Sequence, residues 1–192
     1  MATDAADQTS TISGVHHAAF RCRDADQTIW FYRDVLGLAD PTGIVVEERP
    51  GSGASDPYLH VFFRMGNGEY IAFFDAPSSA EGDWFLPKDG FDMHFAFEVA
   101  SEEELEAMKV RLQDSGFPVG GPLDHGFVRS IYTYDPNGIQ IELTRRVDSH
   151  DEILAHEQSS FEETLATWRK RTRSQKLEKF GAEALTYPGG DG

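Results

Sequence analysis

The stretch Val15-His-His-Ala-Ala-Phe-Arg-Cys22 returns later in the chain as Met93-His-Phe-Ala-Phe-Glu-Val99, so that His17-Ala-Ala-Phe20 lies on His94-Phe-Ala-Phe97. Both stretches alternate small or apolar residues with a second set on the opposite face, the period of a half-buried strand. Working outward, Asp24 is placed to cap a helix over residues 25–36, with Ile29, Trp30, Tyr32, Val35 and Leu36 on one face and Gly37 closing it. Strands are expected at 44–48, 59–65 and 69–74, with a Gly- and Pro-rich loop between 50 and 57 and an Asn67-Gly68 hairpin turn. The second copy repeats the order. Ser101 caps a helix with Glu104 three residues on, Gly116 ends it, residues 119–122 are extended, and strands at 130–134 and 139–144 flank Asp135-Pro-Asn-Gly138. Asn67-Gly68 falls on Asn137-Gly138, which makes the chain an internal duplication. The fold class is therefore α+β: two βαβββ modules at 13–77 and 92–146, a linker at 78–91, a disordered N-terminus at 1–12, and a C-terminal helix and tail at 147–192.

At 192 residues, 40% hydrophobic and 12% aromatic, the chain has the composition of a folded domain. Its 33 acidic and 17 basic residues leave a net charge of −16, a field that repels nucleic acid and anionic membrane and directs attention to small molecules. The last 48 residues hold 8 basic and 9 acidic side chains, so nearly all of that charge sits before them. The single cysteine, Cys22, excludes an intrachain disulfide and suits a reducing compartment. Residues 1–13 lack the basic start and apolar run of a secretory signal, so a cytoplasmic location is expected. In the tail, Ile153, Leu154, Phe161, Leu165 and Trp168 recur at helical spacing after a cap at Asp148 or Ser149. Such a stripe must be covered by the body or by a second subunit, and a homodimer is expected.

Strand alternation singles out three side chains. With Phe20 and Cys22 packed under the helix, His17, Ala19 and Arg21 face the other way; His94, Ala96 and Glu98 do the same in the second copy. On the last strand Ile139, Ile141 and Leu143 form the apolar set, leaving Gln140, Glu142 and Thr144 opposite. A carboxylate within an apolar strand requires a partner, and two imidazoles at duplicated positions supply one. His17, His94 and Glu142 make a 2-His-1-carboxylate set of the kind favoured by non-heme Fe(II). Arg21 and Glu98, four residues beyond the two histidines, are expected to be paired with each other or with neighbours, because an isolated charge on such a wall is expensive.

His17-Ala-Ala-Phe-Arg-Cys-Arg-Asp24, continuing to Trp30-Phe-Tyr-Arg-Asp-Val-Leu-Gly-Leu38, resembles the opening of the vicinal oxygen chelate superfamily, and Asp135-Pro-Asn-Gly-Ile-Gln-Ile-Glu-Leu143 looks like its closing hairpin. That superfamily includes glyoxalases, bleomycin- and fosfomycin-resistance proteins and type I extradiol dioxygenases. The resemblance implies two modules curling into an open barrel around a divalent metal, with ligands at His17, His94 and Glu142. It also implies that the fourth carboxylate of glyoxalase-type members is missing, because Ala72 stands where Glu142 stands in the second module. Three protein ligands leave room for a bidentate catecholate and dioxygen. The stretch from Leu123 to Tyr132 is similar to the segment of extradiol enzymes in which a His and a Tyr stand over the substrate. His125 is then the acid/base and Tyr132 a hydrogen-bond donor, with His60 a candidate second base. The expectation is a ring-cleaving dioxygenase using Fe(II) or Mn(II) on a small aromatic substrate. The alternatives are a lyase or isomerase using the metal as a Lewis acid, and a drug-binding protein without catalysis.

Overall fold

A computed structural model describes residues 11–48, 51 and 55–188. Residues 1–10 of the N-terminus expected to be disordered over 1–12, residues 189–192 of the tail, and part of the 50–57 loop lie outside the described residues. The chain divides into a body, residues up to 125 with 129–145, and a second unit made of 126–128 and 146–192.

The body contains both modules. In the first, strand β1 (His17–Cys22) leads into helix α1 (Ala25–Ile29) and then β2 (Thr42–Glu48), β3 (Ser55–Arg64) and β4 (Tyr70–Asp75). In the second, β5 (His94–Glu98) is followed by α2 (Glu102–Asp114), β6 (Gly120–Asp124), β7 (Val128–Tyr134) and β8 (Gln140–Arg146). The sheets have the same order, β1-β4-β3-β2 and β5-β8-β7-β6, and in each the first strand runs parallel to the last. Neither sheet closes on itself. The register matches too: Ala19 pairs with Ala72 as Ala96 pairs with Glu142.

Local chemistry accounts for the helix starts. The Asp24 carboxylate accepts from the Gln27 amide, and Ser101 Oγ from the Glu104 amide, while Glu104 reaches back to the Ala100 amide. The single helix expected over 25–36 instead changes pitch at Trp30 and continues as a π-helix, Trp30–Val35, in which the Leu36 amide donates to Phe31 O at 2.8 Å. The wider turn sets the consecutive residues Phe31 and Tyr32 into the core, both fully buried.

One apolar cluster serves both modules. Phe31, Tyr32, Phe63, Ile71 and Phe73 of the first meet Phe97, Leu105, Leu112, Ile131 and Ile141 of the second. Tyr32 is the keystone: its ring lies 4.7 Å from that of Phe73 and 6.4 Å from that of Phe97, and its hydroxyl donates to Asp135 Oδ2 at 2.9 Å. The Asp135 carboxylate also accepts the Asn137 and Ile139 amides, which stabilises the charge against a burial that pushes its pKa up. Asn137 Oδ1 accepts the Arg23 amide, a second polar tie between modules.

The linker is clamped to the second module. After two short 3₁₀ turns, Pro77–Ser79 and Gly82–Phe85, the Lys88 amide donates to Gly138 O, and the Tyr134 hydroxyl donates to Lys88 O, both at 2.9 Å.

In the second unit the tail forms two helices rather than one, α3 (His150–Ser159) and α4 (Phe161–Phe180). The break falls at a serine pair whose hydroxyls bond back to carbonyls of α3, Ser159 to His156 O and Ser160 to Glu157 O. Leu154, Phe161 and Trp168 are each about half exposed. Among the described residues no helix is long and apolar enough to cross a membrane.

Candidate active site

Strand β5 buries Phe97 and turns His94, Ala96 and Glu98 outward, as alternation requires. His94 Nδ1 lies 2.7 Å from Gly90 O. A carbonyl only accepts, so Nδ1 carries the proton and donates, leaving the Nε2 lone pair available. That Nε2 sits 3.8 Å from Glu142 Oε2, beyond hydrogen-bond range. The other carboxylate oxygen is occupied: Oε1 accepts from Ser130 Oγ at 2.5 Å and from the Tyr132 hydroxyl at 3.2 Å. The Tyr132 hydroxyl is in turn 2.7 Å from His125 Nε2. All partners are satisfied when His125 Nε2–H donates to the phenol oxygen and the phenol donates to Glu142, a continuous proton path from imidazole to carboxylate. Burial raises the Tyr132 pKa above its usual value, and Glu142 adds to the rise, so the phenol stays protonated at neutral pH.

These groups line an open cavity of about 490 Å³ walled by His94, His125, Tyr132, Tyr134, Gln140 and Glu142. The sequence indicated four of them. Ser130, which holds Glu142 in place, was not singled out, although hairpin register alone sets the β7 residues 130 and 132 against 144 and 142 of β8.

His17 lies elsewhere in the body. Its ring packs 5.6 Å from Phe62 and 5.9 Å from His60, and its Nδ1 is 2.9 Å from that of His16. His60 is stacked on Phe74 at 3.9 Å and lies 4.0 Å from Phe62, its Nε2 buried without a hydrogen-bond partner. Burial lowers its pKa, with His17 contributing, so His60 is held neutral. Arg21 is braced by neighbours: Nη1 donates to Ala76 O and Ser79 Oγ, and the guanidinium lies 5.2 Å over the Trp84 ring.

A divalent metal at this site would find two of its three expected ligands ready in one chain: a carbonyl-fixed imidazole and a carboxylate oxygen left over after Ser130 and Tyr132 have bonded the other. It would not find the third. Among the described residues no cluster of three His, Cys, Asp or Glu is close enough to hold an ion.

The family model described as Glyoxalase/Bleomycin resistance protein/Dioxygenase superfamily matches residues 14–143. Solved structures similar to the chain include a glyoxalase/dioxygenase from Nostoc punctiforme, 22% identical, with a TM-score of 0.54 over 72% of this chain and 94% of that one. A glyoxylase/bleomycin resistance protein/dioxygenase domain from Frankia sp. EAN1pec is 20% identical, with a TM-score of 0.55 over 74% and 99%. The fosfomycin resistance protein FosX from Listeria monocytogenes is 23% identical, with a TM-score of 0.50 over 72% and 98%. At these identities the likeness is one of fold. No curated protein matches the chain.

Proposed function

The chain belongs to the glyoxalase/bleomycin resistance protein/dioxygenase superfamily, and on that premise we propose that it is a metal-dependent oxygenase of the extradiol type, acting on a small aromatic ring with a vicinal diol. The observation that carries this reading is the line His125, Tyr132, Glu142, His94 in one cavity, which puts a proton path beside two metal ligands. His94 Nε2 and Glu142 Oε2 would hold the metal, and since His17 does not join them within one chain, it would serve as the third ligand from a second copy in a homodimer. Iron(II), or manganese(II), held there would supply Lewis acidity toward the diol and electron transfer with dioxygen. The residues do the rest. His125, whose Nε2–H is given to Tyr132, takes the proton of a ring hydroxyl at Nδ1, and Tyr132, turning its single O–H away from Glu142, donates a hydrogen bond to the oxygen left behind. Ser130 keeps Glu142 Oε1 engaged so that Oε2 faces His94. His60, held neutral among Phe62 and Phe74, is the second base on the face that carries His17.

The test is metal analysis of anaerobically purified protein, followed by oxygen uptake against a panel of catechols. The reading expects bound metal and a ring-cleaved product. Glu142→Gln and His94→Ala lose metal affinity by at least about 10–100-fold, the loss that even supporting residues of such sites cause. Tyr132→Phe and His125→Gln retain the metal and lose roughly 10²–10⁴ in kcat. Turnover that continues without oxygen moves the enzyme to the lyase and isomerase class; unaltered binding of the aromatic compound makes it a binding protein.

A further inference from the structure

A second cavity, of about 350 Å³, opens between β1, the linker and the β7–β8 turn, and it shares no lining residue with the one around Glu142. Its floor is apolar, from Phe20, Met93 and Ile139, and its rim carries Arg21, Lys88 and Trp84. No lining residue is acidic, in a chain with 33 Asp and Glu, whereas the first cavity has both Asp89 and Glu142 in its wall. We infer that this cavity binds a small organic anion, a carboxylate on an apolar, planar body, independently of whether a metal is bound at Glu142.

The two cations are placed for that. Arg21 spends Nη1 on Ala76 O and Ser79 Oγ, which fixes the plane of the guanidinium over Trp84 and leaves its remaining N–H donors for a carboxylate. Lys88 is held from behind: its amide is bonded to Gly138 O and its carbonyl to the Tyr134 hydroxyl, so its ammonium projects from a fixed backbone. The Lys88 ammonium makes no ion pair among the described residues. The half-exposed Trp84 ring offers a flat wall to a planar ligand, and the volume falls within the range of small-molecule sites. Two cations on an apolar cup select for a single negative head and against its neutral isostere.

Isothermal titration of the full-length protein with 2-naphthoate and with the neutral 2-naphthamide tests the assignment. The naphthoate binds once per chain, about tenfold or more tighter than the amide. Lys88→Gln, a partly exposed substitution that keeps the fold, weakens naphthoate by about fivefold or more and leaves naphthamide within about twofold. His94→Ala leaves the naphthoate affinity unchanged. Equal binding of acid and amide, absence of naphthoate binding, indifference to Lys88→Gln, or loss of naphthoate binding in His94→Ala overturns it, the last because it would put the anion in the other cavity.

Discussion

Ala19 pairs with Ala72 in the first module and Ala96 with Glu142 in the second, so one position of a duplicated sheet holds a methyl group in one copy and a carboxylate in the other. Around the carboxylate the second module has gathered Ser130, Tyr132, His125 and His94. Around the methyl group the first has gathered Phe62, Phe74, His60 and His17, an aromatic wall with a neutral imidazole in it. Backbone pairing has stayed the same while the exposed faces have separated into a polar half and an aromatic half. The difference teaches that strand register fixes where a side chain stands, whereas the neighbours supplied by the adjoining strand decide whether it can carry charge.

Exchanging the two characters is the most severe way to break that comparison. Ala72 is fully buried with no hydroxyl partners like those of Glu142, so Ala72→Glu is expected to destabilise the protein by roughly 3–5 kcal/mol, the effect of an uncompensated buried charge. Urea unfolding measures it, and an unchanged midpoint would mean that the first module accommodates a carboxylate as the second does. The equivalent hairpin turns offer the next contrast. Gly68 and Gly138 both have positive φ, +91° and +77°, yet a Cβ on Gly68 meets only the end of the Arg64 side chain, while one on Gly138 meets the backbone of Leu86 and Phe85. Gly68→Ala should lose about 1–2 kcal/mol for left-handed backbone. Gly138→Ala should lose roughly 2–5 kcal/mol once the steric overlap with the linker is added. Thermal denaturation of the pair reports the difference, and equal losses would show that the linker yields freely.

The tie between modules is expected to be worth less. Tyr32→Phe removes the phenol that reaches across to the buried Asp135 and should lower stability by about 1–3 kcal/mol in denaturant titration. A neutral result would leave Asp135 sufficiently held by its own turn. The smallest effect is that of pH on the aromatic wall. Burial depresses the His60 pKa below the usual 6.5, so the unfolded chain takes up its proton at a higher pH than the folded one does. The stability His60 contributes is therefore present above that usual value and is lost as pH falls through the folded one. His60→Phe should flatten the decline in Tm between about pH 7 and pH 5 relative to the unaltered protein. An identical slope would place the acid sensitivity elsewhere.

Much of the fold was legible in the chain because strand period, helix caps and Asn-Gly turns act over a few residues, and each appears twice. The ends of β2, β3 and β7 lay beyond reach of such signals, since pairing extends strands into stretches with no alternation of their own, as at Ser55-Asp-Pro57. The π-turn after Ile29 was hidden for a related reason: it depends on Phe31 and Tyr32 both entering a core built largely by other strands. In the candidate site, His94 and Glu142 could be set on outward faces by counting twos, whereas His125, which lies between β6 and β7, and Tyr132 were reached only through the resemblance of residues 123–132 to extradiol enzymes. His17 could not be placed relative to them, because matching positions in two copies say that two side chains are equivalent and nothing about whether they meet.

The clamp on Lys88 has a consequence for how the molecule breathes. Residues 78–90 have the small, charged, proline-containing composition of a spacer, whose amides would exchange with deuterium almost at the rate of free peptide. The Lys88 amide, bonded to Gly138 O at the hairpin tip, exchanges only when that contact opens. Its exchange rate is thus a local clock for the lifting of the linker from the tip of the β7–β8 hairpin, read from a residue that belongs to neither strand.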